Sequence, residues 1–382
     1  MISKNKIRKI IFLTGTRADF GKLKSLMQKL AKDAGFETYI FVTGMHMLSK
    51  YGSTADEIRK SGFKNIYYFI NQNSSDGMDC ILAKTVTGLS DYIKEISPDL
   101  LIIHGDRVET LAGAIVGALN NILVAHIEGG EVSGTIDELI RHSVSKLSHI
   151  HFVANKTAQN RLMQLGEVIS NIHVIGSPDI DVMNSKMLPS LNIVRKYYGF
   201  NFKIFSILLF HPVTTDIKNL RENVRILVDE ILSSRLNYIV IYPNNDCGSE
   251  IILEEYLRFR NNKKIKIFPS MRFEYFLTLL KNTNFIIGNS SSGIREAPHF
   301  GVPSINLGDR QKNRVNCSMV LDTKIETTSI SSAILLTQNM KRKYSRSFGD
   351  GNSTKKFYTI INDPLFWECS AQKYFVDYNS KY

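Results

Sequence analysis

Three acidic residues stand just beyond apolar segments that have the composition of buried strands. Asp106 follows residues 100–104, and Glu128 follows residues 123–126. Asp137 comes next along the chain, where a pattern of helical period begins. In α/β folds the carboxyl ends of parallel strands meet at one edge of the sheet, so these side chains should converge. Converging carboxylates predict acid/base chemistry on carbon or oxygen.

Each acid also has a purely structural interpretation. Asp106 could cap the helix predicted over 108–119, because aspartate is favoured at that position. Thr135 and Glu138 have the spacing of a capping box, so Asp137 could simply stabilise the positive end of a helix dipole. These alternatives stay open for each residue taken alone.

The neighbours of the acids favour chemistry over capping. Arg141 lies four residues after Asp137, on the same face of the predicted helix. Glycines beside Glu128 leave room for a ligand to approach. We therefore expect the acids to form one rim with Arg141.

Residues 15–22 form the first loop after a predicted strand and could bind an anion. Arg17 stands where an anion would meet the N-terminus of the next helix. Five residues separate Gly15 from Gly21, and Leu23 occupies the place of the Mg²⁺-binding Ser or Thr, which excludes a P-loop NTPase. A plain turn with a solvated arginine is the alternative, and spacing does not decide between them.

The second half of the chain has a Ser/Gly-rich loop that predicts diphosphate binding. A strand predicted over 285–287 ends in residues 288–298, where backbone N–H groups and hydroxyls could cradle a diphosphate while Glu296 accepts from a ribose. The loop does not match Gly-x-Ser-x-Gly, so a serine hydrolase is disfavoured. Residues 309–314 add three cations, with a solvated charged loop as the alternative.

These loops require a particular order of elements. Short runs of Ile, Val, Leu and Phe alternate with helical segments, which predicts parallel strands covered by helices on both faces. The alternation breaks near residues 176–179 and restarts near 204, so we expect the linker between two domains to begin at this break. We expect two doubly wound α/β domains, 1–176 and 177–350, facing a ligand-binding cleft, and a helical tail, 351–382, that packs back on the body.

Composition excludes several classes of protein. The 382 residues include 48 Lys+Arg and 36 Asp+Glu, a net charge of +12, and 43% are apolar, which excludes disordered and collagenous chains. Four cysteines far apart disfavour a disulfide framework and a zinc site, so we predict no metal and a reducing cytoplasm. The apolar run 10–13 is too short for a signal peptide, and 111–127 is too broken for a membrane span.

The ordered set of motifs resembles the UDP-N-acetylglucosamine 2-epimerases, most of all the hydrolysing branch that makes N-acetylmannosamine for sialic acid. The resemblance extends from about residue 7 to 316 and rests on residues 15–22, 104–106, 126–130, 136–138 with Arg141, 211–212 and 290–298. Non-hydrolysing relatives have Pro-Glu-Glu where this chain reads Ile136-Asp137-Glu138.

The resemblance implies a GT-B-like pair of Rossmann domains, no cofactor and a role for each motif. The implied catalytic residues are Asp106, Glu128, Asp137 and His211. The implied substrate- and nucleotide-binding residues are Arg17, Lys22, Arg141, Ser290, Ser291, Ser292, Gly293, Glu296 and Arg314. Catalysis would eliminate UDP through a glycal and then add water with inversion at C2. The implied partner is a UDP-sugar, and the expected assembly is a homo-oligomer of two or four copies.

Two rival functions stay open, and a third is disfavoured. A hydrolysing epimerase for a UDP- or GDP-linked 2,4-diacetamido-trideoxy sugar would share the fold, and a GT-B glycosyltransferase would share the nucleotide site without needing three acids. A nucleotide-sugar sensor or nucleic-acid binder is disfavoured, because acids line the predicted cleft and no basic face with interleaved aromatics is evident. We assign Arg17 and residues 310–314 to a pyrophosphate, and interpret the eight cations within 4–9 and 341–346 as solvated ends.

Overall fold

The computed structural model describes residues 6–51, 54–73, 76–186 and 188–377, which form two compact units. Unit 1 contains the described chain up to Glu131, Asp137–Asn184 and the chain from Phe348 onward, and unit 2 contains Val132–Ile136 and Ser185–Ser347. The chain therefore leaves unit 1 and later returns to it.

Within its described residues, unit 1 is built on a sheet of seven parallel strands. They are β1 (Arg8–Thr14), β2 (Phe36–Val42), β3 (Asn65–Tyr68), β4 (Leu100–His104), β5 (Leu123–Ile127), β6 (Ile150–Val153) and β7 (Ile172–Val174). Their order in space is β3-β2-β1-β4-β5-β6-β7, so the direction of winding reverses between β1 and β4. In open α/β sheets such a switch point is where ligands bind.

Helices cover this sheet because its central strands are apolar on both faces. The helices are α1 (Arg17–Leu30), α2 (Thr54–Lys60), α3 (Met78–Ile96), α4 (Val108–Leu119), α5 (Ile136–Leu147), α6 (Lys156–Gln164) and α7 (Pro178–Met183). All five residues of β4 are buried, as expected for a strand between two helical layers. Phe12, Leu23 and Ile102 lie in the main core cluster of the unit.

Unit 2 repeats the design with a parallel sheet of six strands in its described part. The strands are β8 (Ser206–Leu209), β9 (Tyr238–Ile241), β10 (Ile265–Phe268), β11 (Ile286–Gly288), β12 (Ser304–Leu307) and β13 (Val320–Thr323). The helices are α8 (Leu191–Tyr198), α9 (Ile217–Ser233), α10 (Ser249–Tyr256), α11 (Phe273–Asn282), α12 (Glu296–His299) and α13 (Thr327–Asn339). The winding reverses between β8 and β11, whose following loops therefore lie side by side.

The C-terminal chain packs on unit 1 through α14 (Ser353–Ile361). Phe357 and Phe366 belong to the core of unit 1, and the Arg8 guanidinium lies 4.6 Å from the ring centroid of Trp367. Asp181 of α7 accepts hydrogen bonds from the first residues of α14. The last segment is thus a structural part of unit 1.

The structure corrects one expectation about an irregular segment. Residues 176–179 are not a linker, because Pro178 begins α7 and the Asp179 side chain is fully buried. The four cations within 341–346 are exposed, as expected, and one of them, Arg342, donates to the carbonyl oxygens of Lys281 and Thr283 near the end of α11. At the other end, Lys6 and Arg8 pair with Asp99, while Lys4 lies outside the described residues.

No helix in the described ranges combines the length and the apolar character that crossing a membrane requires.

Candidate active site

Asp106 and Glu128 follow neighbouring strands and share one arginine. β4 and β5 pair with His104 opposite Ile127, so the two acids enter adjacent loops. Arg141 Nη2 donates a hydrogen bond to the Asp106 carboxylate, and Nη1 donates to the Glu128 carbonyl oxygen over 2.9 Å. Nη1 also lies 3.7 Å from Glu128 Oε1. Arg141 is 1% exposed, so one buried guanidinium holds both acids.

The capping interpretation of Asp106 is wrong. The N-cap of α4 is Arg107, and its side chain makes no capping bond. The Asp106 carboxylate instead accepts a hydrogen bond from Arg141. The preceding residue, Gly105, has a φ of +79°, a conformation that favours glycine. The loop therefore directs the Asp106 carboxylate toward Arg141, and the N-cap position of α4 has no acidic residue.

Glu128 is surrounded by cationic and hydrogen-bonding groups. His104 Nε2 lies 2.8 Å from Glu128 Oε2, and Lys22 Nζ lies 3.6 Å from the same oxygen. The glutamate is buried, so these neighbours and Arg141 offset the desolvation of its charge. These contacts favour the ionised carboxylate, which is the form that can accept a proton.

Lys22 lies among carboxylates. Its Nζ is 3.6 Å from Asp179 Oδ2 as well as from Glu128, and all three side chains are buried. The resemblance assigned Lys22 to the nucleotide, whereas its observed place is beside a proposed catalytic acid. Asp179 was missed because it follows a Gly-Ser-Pro break that we interpreted as a linker.

Asp137 lies in the first turn of α5, one helical turn before Arg141, and is half-buried. The next residue, Glu138, has Oε1 3.3 Å from His142 Nε2. Direct contacts with Arg141 thus join Asp106 to Glu128, and α5 places Asp137 on the helix that carries this arginine.

The first loop is a well-capped helix start. The Thr16 side chain accepts from the Asp19 N–H, and the Asp19 carboxylate accepts from the Thr16 N–H, which completes a capping box for α1. Arg17 is the first residue of the helix, and its Nε lies 3.0 Å from Glu57 Oε2. Its guanidinium is therefore oriented by an acid of α2 beside the N-terminal end of α1.

In unit 2, His211 is fixed by the loops around it. The side-chain amide of Asn289 accepts from the His211 N–H over 2.7 Å and donates to its carbonyl oxygen over 2.9 Å. The Asn244 N–H donates to His211 Nδ1 over 3.0 Å. Because Nδ1 accepts, the neutral ring carries its hydrogen on Nε2, which makes that nitrogen a donor. Asn289 was not predicted as a site residue, although its place after β11 could have revealed it.

The serine-rich loop follows β11 as predicted. Ser290 accepts from the Ser292 N–H and precedes a 3₁₀ turn, Ser291–Gly293, in which both serines are partly exposed. Glu296, the proposed ribose contact, begins α12 and is only 1% exposed. The structure thus presents the serine hydroxyls and buries the glutamate.

Arg310 and Arg314 are nearly buried, so the interpretation of 309–314 as a solvated loop is wrong for both. Arg310 Nη1 donates to the Asn289 carbonyl oxygen over 3.2 Å, and Arg314 Nη1 donates to Gln311 Oε1 over 2.7 Å. Arg310 therefore lies against the loop that also holds His211. In the same segment Lys312 is exposed and lies 3.1 Å from Asp309.

Among the residues that the structure describes, no three His, Cys, Asp or Glu side chains are grouped closely enough to hold a metal ion. The cysteines are free thiols.

Comparison with known proteins shows the family to which the chain is similar. The family model for UDP-N-acetylglucosamine 2-epimerase matches residues 28–362. A UDP-N-acetylglucosamine 2-epimerase of Neisseria meningitidis serogroup B is 48% identical over 377 residues, covering 98% of this chain and 100% of the relative. A UDP-N,N'-diacetylbacillosamine 2-epimerase (hydrolyzing) of Legionella pneumophila is 33% identical, covering 93% of this chain and 96% of the relative.

A solved structure shows the same fold. The crystal structure of a UDP-GlcNAc 2-epimerase from Neisseria meningitidis bound to UDP-GlcNAc matches with a TM-score of 0.78 at 18% identity, covering 92% of this chain and 99% of the other. The class of the molecule is therefore the GT-B-like α/β fold with two parallel sheets, as predicted. The chain belongs to the UDP-N-acetylglucosamine 2-epimerase family of enzymes, which confirms the resemblance seen in the sequence.

Proposed function

We propose that this enzyme is a hydrolysing UDP-N-acetylglucosamine 2-epimerase, which converts UDP-GlcNAc and water to N-acetylmannosamine and UDP. The observation that carries the proposal is the pair of carboxylates, Asp106 and Glu128, held by Arg141 at the ends of β4 and β5. The relative at 48% identity is named for UDP-GlcNAc, and the relative at 33% is named as hydrolyzing. As the resemblance to the hydrolysing branch implies, free N-acetylmannosamine would supply sialic acid synthesis.

The reaction needs acid/base groups in two steps. First a carboxylate removes the C2 proton while the bond between C1 and the UDP oxygen breaks, which leaves a glycal with a C1–C2 double bond. Water then adds its hydroxyl to C1, and a proton reaches C2 from the opposite face. We assign Asp106, Glu128 and Asp137 to these transfers as a group, because each half of the reaction needs its own proton donor or acceptor.

Departure of UDP needs cations and hydrogen-bond donors. We assign this role to Arg17, to the serine turn Ser291–Gly293 and to the two buried arginines, Arg310 and Arg314. His211 adds a donor, since its Nε2 carries the hydrogen. The role of Lys22 is to support Glu128. That the enzyme acts in the cytoplasm as a homo-oligomer without a cofactor stays a prediction from the sequence.

Isotope labelling of the products tests the proposed reaction. In D₂O, UDP-GlcNAc should give free N-acetylmannosamine with one deuterium at C2, measured by NMR and mass spectrometry. In H₂¹⁸O, the UDP should carry no label, because the bond to C1 breaks and the bond to phosphorus does not. Formation of UDP-N-acetylmannosamine without free sugar would show the non-hydrolysing mode and contradict the proposal.

The acids can be tested one at a time with isosteric changes. Asp106→Asn, Glu128→Gln and Asp137→Asn should each abolish UDP release while UDP affinity stays within about threefold, because only proton transfer is removed. Asp99→Asn is the matched control, since Asp99 precedes β4 at the opposite edge of the sheet. Activity in all three variants would refute the site.

UDP-N,N'-diacetylbacillosamine should be assayed beside UDP-GlcNAc, because the relative at 33% identity is named for it. That protein is named for UDP-N,N'-diacetylbacillosamine, a 2,4-diacetamido sugar nucleotide. Comparing kcat/KM for this compound, its GDP-linked form and UDP-GlcNAc would rank them. A preference of about tenfold or more, corresponding to ~1.4 kcal/mol, would identify the true substrate.

A further inference from the structure

His126 lies in β5, and its buried ring reaches two other segments of unit 1. Nε2 is 2.8 Å from the Gly105 carbonyl oxygen, and Nδ1 is 3.1 Å from the Ser145 hydroxyl. A carbonyl oxygen can only accept, so Nε2 carries the hydrogen and Nδ1 accepts from the hydroxyl. The ring is therefore a neutral imidazole that uses both nitrogens.

The three segments that meet at this ring also carry the proposed catalytic groups. Gly105 directly precedes Asp106, Ser145 lies four residues after Arg141 on α5, and His126 itself lies two residues before Glu128. We propose that His126 is a positioning residue. Its ring holds the Gly105 carbonyl group and α5 in place, and thereby fixes the orientation of the Asp106 and Arg141 side chains. This inference rests on the proposed function for its effect on catalysis.

Gly105 explains why an anchor is needed. With a φ of +79°, this glycine is in a region that glycine enters and leaves easily, and a change there would swing Asp106 away from Arg141. The Gly105 N–H donates to the Ile127 carbonyl oxygen over 3.0 Å, so the ring and β5 hold both polar groups of the residue. Removing the ring would release the carbonyl group beside the proposed catalytic acid.

The loop after Glu128 packs against the hydrogen bond between His126 and Ser145. A Cβ atom at Gly129 would lie 3.0 Å from both His126 Nδ1 and Ser145 Oγ. A larger residue would require the ring or the hydroxyl to move by a few tenths of an ångström, so the loop lies close to the hydrogen bond between His126 and Ser145. The close packing links the position of Glu128 to the position of His126.

The environment keeps the ring neutral. Burial lowers the pKa of His126 to about 3, the bond to Gly105 opposes this shift, and the Arg141 guanidinium and the neighbouring rings of His104 and His151 add to it. A protonated ring would lose the acceptor for Ser145 and place a second cation near Arg141. The hydrogen-bond pattern is thus constant over the neutral pH range.

Two amide substitutions separate the two nitrogens. His126→Gln can place an N–H near the position of Nε2, whereas His126→Asn reaches only the position of Nδ1. We expect His126→Asn to lower kcat about 100-fold, the effect of a misplaced catalytic group, with KM and UDP affinity within about threefold. His126→Gln should regain most of kcat. Crystal structures of His126→Asn should show Asp106 turned away from Arg141.

The control is His173→Asn, which makes the same change in β7 of the same sheet, where the ring packs against Phe152 and Phe366. A merely structural role would lower the folded fraction of the Asn and Gln variants equally and leave kcat per folded molecule unchanged. That result, or a kcat of His126→Asn equal to that of the control, would overturn the inference. So would a structure of His126→Asn that keeps the contact between Asp106 and Arg141.

If His126→Asn does not fold, Ser145→Ala removes only the hydroxyl on α5 and should lower kcat by about tenfold at constant KM. An unchanged kcat would then refute the link. Failure of the proposed function has a different signature, because the wild type and His173→Asn would both release no UDP from UDP-GlcNAc. The crystal structures would still decide whether His126 positions Asp106.

Discussion

At the scale of single residues, Glu128 combines charge, burial and backbone strain. Its φ is +76°, a left-handed conformation that costs a residue with a side chain about 1–2 kcal/mol. The Arg141 bond to its carbonyl oxygen and the contacts of its carboxylate with His104 and Lys22 hold it there. Strain that is stabilised by the surroundings is typical of functional positions.

A pair of substitutions can measure this strain. Glu128→Gly and Glu128→Ala both remove the carboxylate and should both abolish UDP release. The glycine variant should nevertheless be more stable by about 1 kcal/mol in urea unfolding, because alanine keeps the left-handed penalty. The fluorescence of Trp367, the only tryptophan, reports on unit 1.

The control for this pair is Asp91, an exposed residue inside α3. There the order should reverse, with Asp91→Ala more stable than Asp91→Gly by about 1 kcal/mol, because alanine is the better helix former. Equal stability of the two variants at position 128 would show that the backbone relaxes and that no strain is stored.

Some site residues follow from the sequence and others require the fold. Asp106 and Glu128 were predictable because each lies just beyond an apolar run, and Arg141 because of helical spacing. His104 could have been predicted too, since it ends the strand beside the one that leads to Glu128. Asp179 could not, because its partner Lys22 is distant in the chain and only packing of α7 brings them together.

At the scale of elements, Asn289 joins the loops after β8 and β11. Its amide makes a reciprocal pair of hydrogen bonds with the backbone of His211, and its own carbonyl oxygen accepts from Arg310. These adjacent loops carry the proposed nucleotide-binding groups of unit 2. The buried Asn289 therefore holds His211 through its side-chain amide and contacts Arg310 through its backbone carbonyl oxygen.

Asn289→Asp tests this link, because it replaces the N–H donor by an oxygen that faces the His211 carbonyl oxygen. We expect UDP affinity, measured by calorimetry, to fall about tenfold or more, since a buried bond is replaced by repulsion worth about 1–3 kcal/mol. Asn237→Asp is the control, because Asn237 precedes β9 at the opposite edge of the sheet. Equal UDP affinity in the two variants would refute the role of Asn289.

The same scale shows what patterns could and could not predict. Buried strands were located to within about two residues because uninterrupted apolar runs such as 100–104 leave little ambiguity. The short helix α7 was taken for a break, because Gly176 and Pro178 are turn signals, whereas here Gly176 has a φ of +88° and proline occupies the start of the helix. The strand β13 and helix α13 lie in a segment with weaker apolar patterning and were not predicted.

At the scale of the whole molecule, the net charge of +12 does not describe a uniformly basic surface. Arg141, Arg295, Arg310 and Arg314 are buried. These four arginines thus belong to the interior and not to a basic surface. Charge alone could not have distinguished a small anionic ligand from nucleic acid, whereas the placement of the arginines favours the small ligand.

Buried histidines of unit 1 make its stability depend on pH. Burial lowers the pKa of His46 to about 4, with Arg17 adding to the effect and Asp19 opposing it. The ring lies 3.0 Å from Thr14 Oγ1 and 2.7 Å from Thr54 Oγ1, so it is held neutral between two hydroxyls. Burial also lowers the pKa of His149, His151 and His173.

We therefore expect unit 1 to lose stability as the pH falls from about 6.5 toward 4. In that interval the unfolded chain binds a proton at His46 and the folded protein does not. This difference lowers the free energy of unfolding by up to about 1.4 kcal/mol for each pH unit. The folded-state advantage is complete above pH 6.5, where both states are neutral. Urea unfolding followed by Trp367 fluorescence between pH 8 and 4.5 should show the free energy of unfolding falling with pH. In His46→Gln the slope should be smaller by the contribution of one proton. If His46→Gln has the same slope as the wild type, His46 does not cause the loss of stability at low pH.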